Sequence, residues 1–278
     1  MQRGARGLLM KASQKLAISG LAWAVALSMS LPIFWMALTA FKTEIDANQF
    51  PPKFLFMPTL ENFTAVSDAI PLLRSLLNSV VVSSGATALC FLFAFPAAYG
   101  LAFHGGMWRT RVLLSMLATR FMPGMGIMMP MYLIFTALGL MDTRIGLILI
   151  YAVLNLPIVV WLFYFYMREI PREILESARL DGATVKQQLL HLLLPLCLPG
   201  ICSTALLLIV LCWNESFWSI QMTSSAGVPV SAYIASMSGD LLLPQLSAAS
   251  LLAIGPILLV GLLTQRTFVR GLTFGAVQ

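Results

Sequence analysis

Few residues of this 278-residue chain are equipped for chemistry, and the densest stretch of them is 176–199, ESARLDGATVKQQLLHLLLPLCLP. It is a charged, water-compatible helix–turn–helix pattern between long apolar runs. Gly182 permits the positive φ that ends a first helix. Thr184 followed by Gln187 is the capping-box spacing that opens a second. The chemistry available to such a segment is recognition rather than bond making. The loop 168–193 sets Glu169, Glu173, Glu176 and Asp181 against Arg168, Arg172, Arg179 and Lys186, and it holds no Phe, Tyr or Trp. A helix lying on lipid headgroups favours a basic polar face with aromatics opposite. Balanced charge without aromatics suits a groove in a soluble protein.

A second group is Trp213, Asn214, Glu215 and Trp218. A carboxylate inside a membrane segment is expensive and usually faces the bundle interior or a water-filled cavity. Carboxylate and amide can accept and donate bonds to hydroxyls while an indole packs a C–H face, which suits a polyhydroxylated solute. The competing placement puts both tryptophans at the membrane interface as anchors, with Glu215 at headgroup level. Arg120 poses the same choice within an apolar run. Its short reach to water favours snorkelling to the cytoplasmic edge over lining a cavity. Asn155 with Pro157 marks a local break, with the amide answering a neighbouring helix.

The elements that must hold these groups are membrane helices. The chain is 59% hydrophobic and 10% charged, against roughly 25% charged in soluble domains, and its mean hydropathy is +0.88. A β-barrel would need alternating segments of about ten residues, and the apolar runs here are continuous. Six runs approach the roughly 20 residues of a spanning helix: 16–41, 76–103, 112–138, 145–167, 196–220 and 244–264. The first is too long for a signal-peptide core and carries Trp, Pro and Phe in its second half, so it is read as an uncleaved span. Cys90, Cys197, Cys202 and Cys212 lie in or beside apolar runs and are read as small buried hydrophobes; they match no metal spacing. The Met run 122–131 is adaptable packing.

Orientation follows the basic residues. With the N-terminus inside, Arg3, Arg6, Lys11, Lys15, Arg109, Arg111, Arg168, Arg172, Arg179, Lys186, Arg266 and Arg270 are cytoplasmic. Only Lys42, Lys53, Arg74 and Arg144 face out. The net charge of +6 is thus a topology signal and not a nucleic-acid footprint. The expected architecture is all-α: six transmembrane helices, both termini cytoplasmic, and a cytoplasmic loop at 168–193 between helices four and five. Residues 1–15 form an N-terminal segment, 16–264 the membrane domain and 265–278 a cytoplasmic tail. The outer loop 42–73 is extended or partly helical.

Within the loop, Ile170-Pro171-Arg172-Glu173 opens a helix with proline at its first position and an acid in its first turn. Ile170, Ile174 and Ala178 share a face. Arg172–Glu176 and Glu176–Arg179 have ion-pair spacing. Val185, Leu189, Leu192 and Leu193 give the second helix an apolar side, and Pro195 and Pro199 bend the chain into span five.

This loop resembles that of binding-protein-dependent ABC importer permeases, whose pattern is Glu-Ala-Ala, then Gly, then (Ile/Leu)-x-x-Pro. Glu176-Ser177-Ala178, Gly182 and Leu194-Pro195 carry the likeness, with Ser177 standing where alanine is usual. Asp181-Gly182-Ala183 and Pro195-Leu196 resemble the carbohydrate-uptake branch. Phe41-Lys42-Thr43, Pro58 to Phe63, Asn78-Ser79, Trp213-Asn214-Glu215 and the tail 271–277 extend the resemblance over nearly the whole chain, as a maltose-type inner permease. The wording of FWMALTAFKTEIDA, LNLPIVVW and LCWNESFWS is closest to mannitol and sorbitol permeases.

The resemblance implies a permease subunit in the bacterial inner membrane that imports sugars or sugar alcohols. It implies ATPase docking through Glu176, Ser177, Ala178, Asp181, Gly182, Ala183, Leu194 and Pro195. Its partners would be a second permease, a dimer of cytoplasmic ATPases, a periplasmic or lipid-anchored solute-binding protein, and membrane lipid. The tail 271–278 would reach the ATPase interface. The chain has no G-x-x-x-x-G-K-[ST] sequence, so ATP and magnesium belong to the partner and this subunit needs no cofactor. An ion-coupled secondary transporter or a channel is the alternative, but it would require several intramembrane acids where Glu215 stands alone. A membrane enzyme would need paired His or Asp in spans, and His104 and His191 both fall at cytoplasmic edges.

Overall fold

The computed structural model describes residues 12–239 and 242–273, which hold helices and turns and no strand. In order, the helices are α1 (Ala12–Ala40), α2 (Glu44–Asn48), α3 (Glu61–Ala69), α4 (Leu72–Tyr99), α5 (Arg109–Thr119), α6 (Gly124–Ala137) and α7 (Arg144–Arg168). Then come α8 (Arg172–Leu180), α9 (Val185–Gln187), α10 (Leu194–Leu196), α11 (Leu198–Trp213), α12 (Phe217–Met222), α13 (Val230–Met237) and α14 (Leu243–Thr273). Wider π turns follow α4 at Gly100–His104 and α9 at Gln188–Leu193.

Four stretches are long and apolar enough to cross a membrane: Ile18–Ala40, Leu72–His104, Arg144–Arg168 and Leu243–Leu262. The expected third and fifth spans are not single rods. The third is α5 and α6, bent by 88° across residues 120–123. The fifth is the pair Val185–Leu196 and Leu198–Trp213, bent by 79°. The six-span expectation therefore holds only if each bent pair crosses as one. Proline explains both bends. Pro123 caps α6 with extended backbone, and Pro195 and Pro199 interrupt the donor series around the second bend. Span five also stops at Trp213 rather than continuing to 220, because residues 214–216 turn before α12 begins. Residues 1–11 and the tail end 274–278 lie outside the described residues.

The chain divides into two compact units, residues 1–68 with 241–251 and residues 69–240 with 252–278. In the first, the end of α1 is tied down by side chains. Asn62 Nδ2 donates to the carbonyls of Ala40 at 2.9 Å and Lys42 at 2.8 Å, two acceptors that a helix end leaves open. The Lys42 ammonium lies over Trp35 at 4.3 Å and Phe56 at 5.3 Å, an attraction between charge and ring face. The outer loop is partly helical, as expected. Thr43 caps α2, and Lys53 pairs with Asp46 at 2.6 Å.

The second unit is built on α4 against α7. The buried face of α4 is a run of small residues: Ser75, Ser79, Ser83, Ala86, Cys90, Ala94 and Ala98. Small side chains let membrane helices approach closely, where van der Waals packing replaces the hydrophobic effect. Leu147, Ile150, Tyr151, Val159, Val160 and Phe163 of α7 fill the facing positions. Helix α11 comes nearly as close to α7: a Cβ on Gly200 would lie 2.6 Å from the Tyr166 ring. Three of the four cysteines are buried as expected, and Cys202 is exposed.

At the end of this unit away from the 168–193 loop, Asp142 organises the 224–226 turn. Its carboxylate accepts from the backbone N–H groups of Ser224 (2.9 Å), Ser225 (3.0 Å) and Ala226 (3.1 Å) and from the Ser225 hydroxyl (2.6 Å). Partial burial works to raise its pKa, but the Ser225 hydroxyl and these three amides outweigh it and hold it well below the usual carboxylate range. A lowered folded pKa stabilises the fold above the unfolded value near 3.8 and loses that contribution as pH falls through the folded value. Asp142→Ala is therefore expected to destabilise the detergent-solubilised protein by about 1 kcal/mol at pH 7, with the difference from wild type shrinking below about pH 4. Thermal unfolding at both pH values measures this.

Candidate functional site

The loop between α7 and α11 folds as its turn residues dictate. Gly182 has φ +80°, and a Cβ there would meet nothing within 4 Å, so glycine serves the backbone conformation and not a tight fit. The capping box is complete: the Thr184 hydroxyl accepts from Gln187 N, and the Gln187 side-chain Oε1 accepts from Thr184 N at 2.8 Å. Pro171 is the N-cap of α8, one residue ahead of the expected first helical position.

Two expectations for α8 fail. Leu175, 2% exposed, is its buried anchor, and Ile174 is 37% exposed. The two are adjacent, and a nine-residue helix gives too few turns for spacing to choose between them. The ion pairs Arg172–Glu176 and Glu176–Arg179 are also absent: among the described residues Lys53–Asp46 is the one pair within 4 Å. Arg179 is spent elsewhere. Its Nη2 lies 3.4 Å from the Tyr99 hydroxyl and 3.3 Å from His104 Nε2. Tyr99 in turn donates to Gln188 Oε1 at 2.9 Å, and Gln188 Nε2 donates to Ala183 O at 2.9 Å. Both arms of the loop are thus bonded to the last turns of α4.

Glu176, Ser177, Asp181 and Gly182 are exposed together around the turn, with Ala178 and Ala183 half-buried beside them. Ser177 returns its hydroxyl to Glu173 O at 2.8 Å and adds no bulk to the surface. Leu194 and Pro195 stand apart from this group, at the bend into α11. Leu194 lines an apolar groove of about 440 Å³ with Phe91, Phe95 and Phe163. Sequence reasoning missed Leu180, which is 89% exposed beside the turn. A large apolar side chain left in water next to the exposed Glu176, Ser177 and Asp181 is the profile of an interface anchor.

Within the bundle, the second group is divided. Trp213 is buried and donates from Nε1 to Ala253 O at 3.1 Å. Trp218 is buried edge-on to Phe217. Both are packing residues, neither interfacial anchors nor free stacking surfaces. Asn214 is exposed and donates back to Val210 O at 2.8 Å. Glu215 sits half-buried between α11 and α12, and its Oε1 accepts from Trp218 N at 3.2 Å. Its carbonyl accepts from the hydroxyls of Tyr151 (2.8 Å) and Ser219 (3.0 Å); Tyr151 and Ser219 also share a short hydroxyl contact. Arg120, exposed at the break, reaches α7: Nη1 donates to Leu154 O at 2.8 Å, with Asn155 Oδ1 at 3.4 Å. The Asn155 amide bonds its own helix, at Tyr151 O (2.8 Å), and approaches Cys212 Sγ at 3.8 Å.

A bundle with broken spans, a membrane-depth polar cluster and a bonded, solvent-facing loop defines a membrane transport subunit driven from outside itself. Residues 91–273 match the family described as the binding-protein-dependent transport system inner membrane component, and the chain belongs to that family. It is 30% identical over 251 residues to the sulfoquinovosyl glycerol transport system permease of Agrobacterium fabrum, covering 89% of this chain and 88% of that one. It is 29% identical over 259 residues to the trehalose transport system permease of Mycobacterium tuberculosis, covering 89% and 92%. Its fold is similar to that of a chain in the crystal structure of a bacterial ABC transporter involved in alginate import, with TM-score 0.73, 21% identity and coverage of 94% and 99%. The chain is an inner-membrane permease subunit of a binding-protein-dependent ABC transporter and not an enzyme; members of this family work with a binding protein, a second permease and an ATPase.

Tyr99→Phe deletes the hydroxyl that joins Gln188 and Arg179 while leaving the ring packed. It is expected to cost about 1 kcal/mol of stability and to lower the solute imported per ATP hydrolysed in the reconstituted complex, which paired uptake and phosphate-release assays measure.

Proposed function

We propose that this chain converts ATPase closure into solute passage through the loop 168–193, and that its cargo is a polyhydroxylated solute, with mannitol- or sorbitol-type polyols foremost. The observation that carries the coupling reading is the double attachment of the loop. Its turn offers Glu176, Ser177, Ala178, Asp181, Gly182 and Ala183 to a partner, with Leu180 as an added apolar anchor. Its inner side is bonded through Tyr99 to α4, the long helix at the heart of the second unit. A push on the turn is then a push on a spanning rod. Leu194 and Pro195 serve the bend into α11, which is where the same push reaches span five.

Hydrolysis belongs to the partner ATPases, which hold ATP and magnesium. Rigid-body rocking of the permease pair follows, alternating access to a site at membrane depth. The polyol reading draws on the likeness of three sequence stretches to mannitol and sorbitol permeases and on Glu215, an acceptor for hydroxyl groups. Trp213 and Trp218 contribute to this site by fixing the turn that carries Asn214 and Glu215, because their own rings are buried.

Glu176→Lys reverses a charge at the turn, and Gly182→Pro forbids the positive φ. Each is expected to abolish uptake with membrane insertion intact, measured by transport into proteoliposomes and by membrane fractionation. Normal uptake in both variants overturns the docking reading. Stimulation of the reconstituted ATPase across mannitol, sorbitol, arabitol, maltose and glycerol phosphate tests the cargo, and a polyol is expected to stimulate most.

A further inference from the structure

Arg120 is the one charged residue of the apolar run 112–138. It lies in the break between α5, of 11 residues, and α6, of 14 residues, which puts it near the middle of the path those halves trace together. Its Nη1 is held by Leu154 O and Asn155 Oδ1 of α7. Among the described residues its Nε and Nη2 have no hydrogen-bond partner, no carboxylate lies within 4 Å of it, and the side chain is exposed.

Glu215 stands on the same wall without neutralising it. Asn155, which meets Arg120, lies one turn of α7 from Tyr151, whose hydroxyl meets the Glu215 carbonyl. The break itself abuts the Glu215 turn from the other direction. Gly124, the first residue of α6, packs on Phe217, where a Cβ would lie 3.0 Å from the ring. Among the described residues one oxygen of the Glu215 carboxylate accepts from Trp218 N and the other has no partner. The Arg120 guanidinium and the Glu215 backbone thus meet α7 at residues one helical turn apart, and each side chain has open bonding capacity. A charge within a membrane span usually faces the bundle interior or a water-filled cavity, and broken helices near the midplane are where transported solutes bind.

We infer that Arg120 and Glu215 are the donor and acceptor halves of one cargo subsite, and that the cargo bridging them is a neutral molecule with adjacent hydroxyls. The planar guanidinium presents paired N–H groups to two neighbouring oxygens, which an ammonium cannot. Glu215 accepts a hydroxyl further along the same molecule. The two charges sum to zero, so an anion drawn to Arg120 is repelled by Glu215. This inference rests on the cargo reading under Proposed function and adds Arg120 to it as a specificity residue.

The test uses the complete transporter, with its binding protein, in proteoliposomes fed radiolabelled mannitol. Arg120→Gln is expected to raise KM about tenfold while the maximal rate falls less than threefold. Arg120→Lys is expected to fall between Gln and wild type. Glu215→Gln is expected to raise KM as well, and the double variant by less than the product of the two, because one cargo bridges both groups. If Arg120 only pins the break, Arg120→Gln lowers the melting temperature and maximal rate with KM unchanged, and the inference is overturned. Should Arg120→Gln fail to assemble, Arg120→Lys, which keeps a donor for Leu154, carries the same KM comparison. Glucuronate competing for uptake better than sorbitol overturns the neutral assignment. Wild-type vesicles that import no polyol or sugar overturn the cargo reading and this one with it; wild-type uptake with an unaltered KM in the Arg120 variants overturns this one alone.

Discussion

In hydrocarbon a carbonyl without a donor costs several kcal/mol, and the architecture of the second unit follows from that constraint. At several points a side chain from another element arrives at a backbone carbonyl. Arg120 reaches Leu154 O, three residues before Pro157, and Trp213 reaches Ala253 O, three residues before Pro256. A proline removes a donor and loosens the turn that precedes it, so the same device appears at both. Tyr151 serves Glu215 O, Trp161 serves Leu113 O, and Asn78 serves Ala226 O and Val228 O. Several long polar side chains of this apolar protein thus tie one element to the backbone of another.

That constraint explains what could be read from the sequence. Turn chemistry is local, so Gly182 and the Thr184–Gln187 box announced themselves. Spanning helices need only length and hydropathy, so all six apolar runs were visible. Pro195 and Pro199 announced the bend into span five, but the break at 120–123 stayed hidden, because hydropathy continues straight through it: Phe121-Met122-Pro123-Gly124 is as apolar as the helices it separates. Where each polar donor ends up is tertiary information. Arg120 and Leu154 are 34 residues apart and Tyr99 and Gln188 are 89 apart, so no spacing rule links them. The same distance hid the fate of Arg179, whose local spacing suggested Glu176 and whose true neighbours are Tyr99 and His104.

Helix α4 carries a latch at each end. Near its start, Asn78 accepts from Arg144 Nε at 2.7 Å and donates to the 226–228 segment, while Ser79 accepts from Val230 N at 2.9 Å. Near its finish, Tyr99 and His104 hold the 168–193 loop. Between the latches runs its small-residue face, packed along α7. Two helices in such close register move as one body, since a packed interface is bistable and does not deform smoothly. The elements around the pair are segmented instead: α5 from α6, α9 from α11, and α11 from α12.

Stiffness and compliance are therefore separated in space, and the separation sets the route of force. Displacement of the turn at Gly182 enters α4 through Tyr99 and Gln188, and enters span five through the bend at Leu194-Pro195. Under the proposed coupling the α4–α7 pair carries it as two continuous helices packed along a small-residue face. Strain must then collect where the chain already departs from a continuous helix, at residues 120–123 and 214–216. Those two breaks hold the membrane-depth charges, Arg120 and Glu215. Any relative shift between the breaks changes the gap between a donor and an acceptor, so under the proposed function the geometry that would grip a hydroxylated solute is the geometry that displacement of the loop disturbs.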